Sequence, residues 1–169
     1  KDYIFQETHG EKKPLADFLS DLVIIFGEND FDEALTLAIK IIVAQFDVIE
    51  RGCILLLDTS GKYLEVVSNH PSYAPAVSTT LANKTLEEQR AFIWRLSEDS
   101  IMSNSMRELK IKTGMYSPMI SGQNIIGMIC LDTTSPNVAV TSYNLDVFIN
   151  FSKVLSSLVS LKKKHTRSN

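Results

Sequence analysis

The stretch with the clearest chemical promise is SEDSIMSNSMRELKIKTG, which reads as a loop and then a short helix ending near Gly114, with Ser103, Asn104 and Ser105 at the helix start. A helix start leaves backbone N–H groups unpaired and carries the positive end of the helix dipole. Hydroxyl and amide side chains gathered there suit an anion such as a phosphate. Ordinary N-capping needs only one such residue, so the sequence leaves a pocket and a plain cap both open. Arg107 follows closely and either adds positive charge or points into water. Phe92, Trp94 and Tyr116 are large planar side chains that could stack on a flat ligand, although core packing uses such residues too.

Other chemistries lack their residues. The chain has no Gly-rich phosphate loop of the Walker type, no HExxH and no CxxC. His9, His70 and His165 fall in loops or tails, where solvated imidazoles are expected ahead of haem ligation through His70. Cys53 and Cys130 lie inside apolar runs that look like buried strands, which fits a reducing, cytoplasmic setting better than a zinc or redox motif. No catalytic residue, metal or covalent cofactor is assigned.

Bulk properties narrow the partners. A chain of 169 residues is one domain, large enough for a proper core. Its formal charge of −3, from 17 basic and 20 acidic residues, supplies no field for nucleic acid or anionic lipid. No run approaches the roughly 20 apolar residues of a membrane helix, so no membrane contact is expected. The chain starts without Met and stops in LKKKHTRSN, and it reads as a piece of something longer, with residues 1–13 a lead-in and 162–169 a basic linker.

The elements that must position these residues can be traced by periodicity. PLADFLSDLVIIFGEND is helical, with Leu15, Leu19, Leu22 and Phe26 on one stripe and Phe18 and Ile25 on a second. DFDEALTLAIKIIVAQFDVIE is a core helix with Asp30 as its N-cap. RGCILLLDTSGKYLEVVSNH forms a hairpin about Asp58–Gly61, Ser78 could cap a short helix over TTLANKTLEEQ, and AFIW has strand length. TGMYSPMISGQNIIGMICLDTT forms a second hairpin, with Ser-Gly-Gln-Asn at the turn. From about Ser142 to Lys164, Val147, Phe151, Val154, Leu158 and Leu161 repeat at coiled-coil spacing. This order predicts an α+β domain with a central antiparallel sheet.

The segments ERGCILLLDTSGKYLEVVSN, STTLANKTLEEQRAFI and MYSPMISGQNIIGMICLDTT, with the helix after them, resemble a GAF domain over about Pro14 to Leu161. The most specific part is a strand ending in Pro118-Met119, a short turn, and the Gly127-centred apolar strand ending in Asp132. The resemblance implies a PAS-like architecture. The N- and C-terminal helices lie on one face of the sheet, and a ligand pocket lies on the other under short helices and loops. It implies a regulatory small-molecule module of a bacterial signalling protein. The module would be non-catalytic itself and would control a C-terminal output domain such as a diguanylate cyclase. Free-methionine sulfoxide reductases, the family's catalytic branch, and bilin carriers need cysteines that this chain does not match. Asn83-Lys84 followed by Phe92 is similar to the start of the family's Asn-Lys…Phe…Asp-Glu signature, but it stands in the wrong place, and the proper place has Asp132-Thr133.

From the resemblance, the expected ligand is a cyclic nucleotide, cAMP ahead of cGMP, held by Ser103, Asn104, Ser105, Arg107, Ser117, Trp94 and Tyr116. Ser117 is placed toward the ligand on the alternation that divides Met115, Ser117 and Met119 from Tyr116, Pro118 and Ile120. A homodimer through the first and last helices is expected, with the Val147 to Leu161 seam inside a four-helix bundle. The alternatives are a ligand-free dimerisation scaffold and a sensor of another small molecule.

Overall fold

The computed structural model describes residues 14–72, 77–97 and 102–168; the lead-in over residues 1–13, with His9, and part of the loop before Ser103 lie outside them. Helix α1 (Leu15–Glu28) follows Pro14 and turns Phe18, Leu22 and Phe26 inward at four-residue spacing. Helix α2 (Phe31–Ala44) begins at Asp30, whose carboxylate accepts the Glu33 N–H at 2.9 Å. Strands β1 (Arg51–Leu57) and β2 (Leu64–His70) form the first hairpin. Helix α3 (Thr79–Glu88), strand β3 (Phe92–Arg95) and helix α4 (Asn104–Leu109) follow. The second hairpin joins β4 (Thr113–Ser121) to β5 (Asn124–Thr133). Its turn places Gly122 at φ +64°, a left-handed conformation that glycine adopts without strain.

Helix α5 (Ser142–Arg167) starts in a capping box, in which Thr141 and Asn144 satisfy each other's backbone N–H groups. It runs on through the basic stretch to Arg167, so the residues expected as a linker from 162 onward are helical here. Lysines there favour the helix C-terminus, and Lys162 donates to the Phe26 carbonyl at the end of α1 at 2.8 Å.

The strands form one antiparallel sheet in the order β2-β1-β5-β4-β3. Because successive side chains point to opposite faces, each strand serves two cores. On one face Ile54, Leu56, Met115, Met119, Ile129 and Leu131 pack under α1, α2 and α5. On the other, Cys53, Leu55, Tyr116, Met128 and Cys130 pack beneath residues of α3 and α4. β3 pairs with β4 only from Thr113 to Tyr116, so the outer edge of β4 from Ser117 onward has no strand beside it.

Phe151 is fully buried inside the protomer, its ring centroid 4.1 Å from that of Phe18. It therefore belongs to the domain's own core, unlike its expected place in an outward seam, because α1 reaches that side of α5 first. Of the other seam residues, Val147, Val154 and Leu158 are half-buried and Leu161 is exposed. Val23 and Ile24 on α1 are also exposed.

Candidate functional site

The starts of α3 and α4 converge. Ser78 caps α3 by accepting the Leu81 N–H at 3.3 Å, and Ser103 caps α4 by accepting the Met106 N–H at 3.3 Å. Ser105 Oγ lies 3.1 Å from Ser78 Oγ and 3.0 Å from Ser103 Oγ. These contacts use two of the three hydroxyl protons, which leaves one for another acceptor. Ser78 is buried, Ser103 and Ser105 are half-buried, and Asn104 is exposed. Ser78 is legible in sequence as a cap; its meeting with Ser105 is not. Arg107 is exposed in the last turn of α4, beyond the serine trio.

The aromatic residues sit on the same face of the sheet. Tyr116 and Phe92 stack with centroids 5.4 Å apart and an interplanar angle of 28°, and Lys84 Nζ lies 5.3 Å from the Phe92 centroid. The misplaced Asn-Lys…Phe resemblance thus corresponds here to a local cation–π contact. Trp94 is half-buried nearby, whereas Tyr116 is buried. Leu81, Ala82, Met106 and Ile111 complete this core. A purine stacking on Tyr116 would have to displace some of them.

A polar row beside these aromatics was not visible in the sequence. Strand register aligns Arg51, Asp132, Gly114 and Trp94 across β1, β5, β4 and β3. Arg51 Nε donates to Asp132 Oδ1 at 2.6 Å, and its Nη2 donates to the Leu109 carbonyl at 3.4 Å, tying β1 to the end of α4. Burial pushes the Asp132 carboxyl above its usual range, and the Arg51 charge offsets this only in part. Tyr116 Oη is buried without a hydrogen-bond partner among the described residues. Gly114 makes its room, since a Cβ there would lie 2.7 Å from Tyr116 Oη and 2.6 Å from the Leu131 carbonyl oxygen. Burial, then the Asp132 charge, push the Tyr116 phenol upward. The sequence trace of this row is a charge at the start of one apolar strand, Arg51, and one near the close of another, Asp132.

Ser117 corrects the expectation made for it. Its hydroxyl donates to Ser152 Oγ on α5 at 2.9 Å, so it faces the helices with Met115 and Met119 and away from α3 and α4. Period-two alternation separates the faces but does not say which face a set occupies, and the Ser117 contact with α5 and the packing of Tyr116 against Leu81 and Met106 settle it. His70 is likewise the last residue of β2, and His165 lies within α5, so neither is in a loop or tail.

Two further polar features are structural. Glu50 accepts hydrogen bonds from the hydroxyls of Thr133 at 2.8 Å, Thr134 at 3.0 Å and Ser135. These hydroxyls, Ser135 foremost, hold its carboxyl down at about 2. Cys53 and Cys130 are free thiols directly opposite each other on β1 and β5. Burial pushes Cys53 up to about 12 and Cys130 upward as well, which suits packing rather than nucleophilic chemistry. Among the described residues no group of His, Cys, Asp and Glu is arranged to hold a metal, and no helix is long and apolar enough to cross a membrane.

No family model matches the chain, and no curated protein matches it by sequence. Solved structures match its fold closely. The GAF domain of a phosphoenolpyruvate-protein phosphotransferase from Coxiella burnetii superposes with a TM-score of 0.70 at 7% identity, over 94% of this chain and 99% of that one. The phycoerythrobilin-bound GAF domain of a cyanobacterial phytochrome gives a TM-score of 0.71 at 12% identity, over 91% and 98%. The GAF domain of an Acinetobacter phosphoenolpyruvate-protein phosphotransferase gives 0.66 at 10%, over 88% and 94%. The five-stranded antiparallel sheet with its flanking helices is the GAF fold.

Proposed function

With a GAF fold as premise, we propose that this domain is the regulatory, non-catalytic sensory module of a bacterial signalling protein. It takes a small ligand on the α3/α4 face and passes the signal through α5 to an output domain such as a diguanylate cyclase. The observation that carries the reading is the meeting of two helix starts at Ser78, Ser103 and Ser105, beside the aromatic face of the sheet. One anionic group would bond the free hydroxyl proton and the N–H groups of Asn104 and Ser105, and Trp94 would flank a planar body. A cyclic nucleotide, cAMP ahead of cGMP, has this pairing of one negative phosphate with a flat base. Ser117 takes no part, and Arg107 contributes at most long-range charge.

The α5 helix would transmit the signal within a homodimer. Val147, Val154, Leu158 and Leu161, together with Val23 and Ile24, form an apolar stripe suited to pairing with a second copy. Binding would shift α3 and α4 against a sheet whose other face carries α5, biasing a two-state dimer.

Calorimetry and thermal-shift titration with cAMP and cGMP test this reading. Replacing Ser103, Asn104 and Ser105 together by Ala should weaken binding by about 1–3 kcal/mol, roughly tenfold to a hundredfold or somewhat more. No heat and no stabilisation with either nucleotide at millimolar concentration would refute it. A second reading, a ligand-free dimerisation scaffold, is favoured by the close filling of the same face by Leu81, Met106 and Ile111. It would then stand ahead.

A further inference from the structure

Away from the α3/α4 face, a cleft of about 440 Å³ opens beyond the start of β3, where the edge of β4 is uncovered, between the α3–β3 turn and α5. We propose that this cleft is a second ligand site, for a small carboxylic acid with a short apolar body.

The lining dictates that class. Its apolar walls come from Ala91, Pro118, Ile120 and Ile149, with Ile120 40% exposed. Among the described residues its ionisable lining groups are Arg90 and Lys153, and no carboxylate lines it. Arg90 also pairs with Glu88 at 3.2 Å, but that contact is exposed and weak, so the guanidinium can turn to a better partner. No carboxylate among the described residues pairs with Lys153. A cleft of this size with apolar walls and a few converging polar groups has the form of a ligand site, and the sign of its charges selects an anion.

The floor orients the ligand. Ser117, Ser152 and Ser156 line it and are buried. Ser117 donates to Ser152 at 2.9 Å, Ser152 to the Pro118 carbonyl at 3.1 Å, and Ser156 to the Ser152 carbonyl. Their protons are spent internally, so the floor offers an anion no donor. The carboxylate therefore stays at the rim with Arg90 and Lys153, and the apolar body lies along Ile120 and Ile149.

A small molecule fits the edge better than an added strand. Pro118 has no N–H to donate, and its carbonyl already accepts from Ser152. An occupant would bridge the α3–β3 turn to α5, on a different side of that helix from the Val147, Val154 and Leu161 stripe.

The test is a titration of the whole chain, followed by backbone amide NMR, with hexanoate and 3-phenylpropionate and with their neutral primary amides as controls. Saturable shifts are expected at Ala91, Ile120, Ile149 and Lys153, with the neutral amides at least about fivefold weaker and Arg90→Gln with Lys153→Gln weakening the carboxylates about fivefold. Ala91→Leu, with its fold checked by circular dichroism, should abolish the shifts by filling the cleft. Equal binding of acid and amide, undiminished binding to folded Ala91→Leu, shifts confined to Leu81, Met106 and Tyr116, or no saturable shift at tens of millimolar would each overturn the proposal. Cyclic-nucleotide binding reports on the other face, so the two readings can fail separately.

Discussion

Replacing Arg51 by Met should destabilise the domain by about 3–5 kcal/mol at neutral pH, because it strips a buried carboxylate of its counter-ion while keeping most of the side-chain volume. The Asp132 side chain is only 6% exposed, against 19% for Arg51, so Asp132 cannot recover the lost 2.6 Å bond from water. Its remaining escape is to take a proton. Its carboxyl already lies above the usual range, and removing Arg51, which lowers it, raises it further. Native Asp132 then binds protons that the unfolded chain, with a value of about 3.9, does not. The deficit of the variant should therefore shrink as pH falls through the variant's raised native value, by at most about 1.4 kcal/mol per pH unit, and level off once pH lies below the parent's own native value. Asp132→Asn should cost less, about 1–2 kcal/mol and nearly independent of pH, because Arg51 can turn to water and keep the Leu109 carbonyl. Urea unfolding at about pH 7 and about pH 4, close to the unfolded value, separates the two variants. Equal losses for both, or an Arg51→Met deficit unchanged between those pH values, would refute the asymmetric-burial argument.

Glu50 should act with the opposite sign. Its carboxyl is held down from 4.5 to about 2, so its contribution is present above the unfolded value and lost as pH falls toward the folded one. The full shift would correspond to about 3 kcal/mol, but the group is exposed and screening reduces this to about 1 kcal/mol. Glu50→Gln should flatten that part of a thermal stability profile measured from about pH 5 down to about pH 2. Sedimentation should find the parent dimeric and Val154→Glu combined with Leu161→Glu a folded monomer, whereas Phe151→Ala should cost about 3–5 kcal/mol in urea unfolding, since it removes a core ring packed against Phe18. Gly114→Ala should lose about 1–3 kcal/mol against the unyielding Leu131 carbonyl at 2.6 Å, as read from denaturation midpoints. Gly27→Ala, in α1 with nothing within 4 Å of its added Cβ, should gain about 0.5–1 kcal/mol in the same assay.

Local signals sufficed for the elements because those signals act over a few residues. Asp30 three before Glu33, Ser78 before TTL and Ser103 before NSM are caps whose side chains bond backbone in their own helix turn. The two hairpins followed from apolar runs about Asp58–Gly61 and Ser121–Asn124, and the two-faced sheet from period-two alternation. Of the candidate site, Ser103, Asn104 and Ser105 at one helix start and the nearby aromatics were legible.

Other features needed partners far along the chain. Alternation grouped Met115, Ser117 and Met119 correctly, yet pairing with β5 and the arrival of α5 decided that they face Ser152 and the helices. The heptad rhythm of α5 was real, yet the position of Phe18 drew Phe151 into the protomer's own core. Ser78 met Ser105, and Arg51 met Asp132, across 27 and 81 residues. Periodicity and capping are set by backbone geometry within a turn or a strand, so the chain alone determines them. Which face is covered, and which polar groups are buried together, depends on long-range register and packing, whose energies exist only once the strands have paired and the helices have docked.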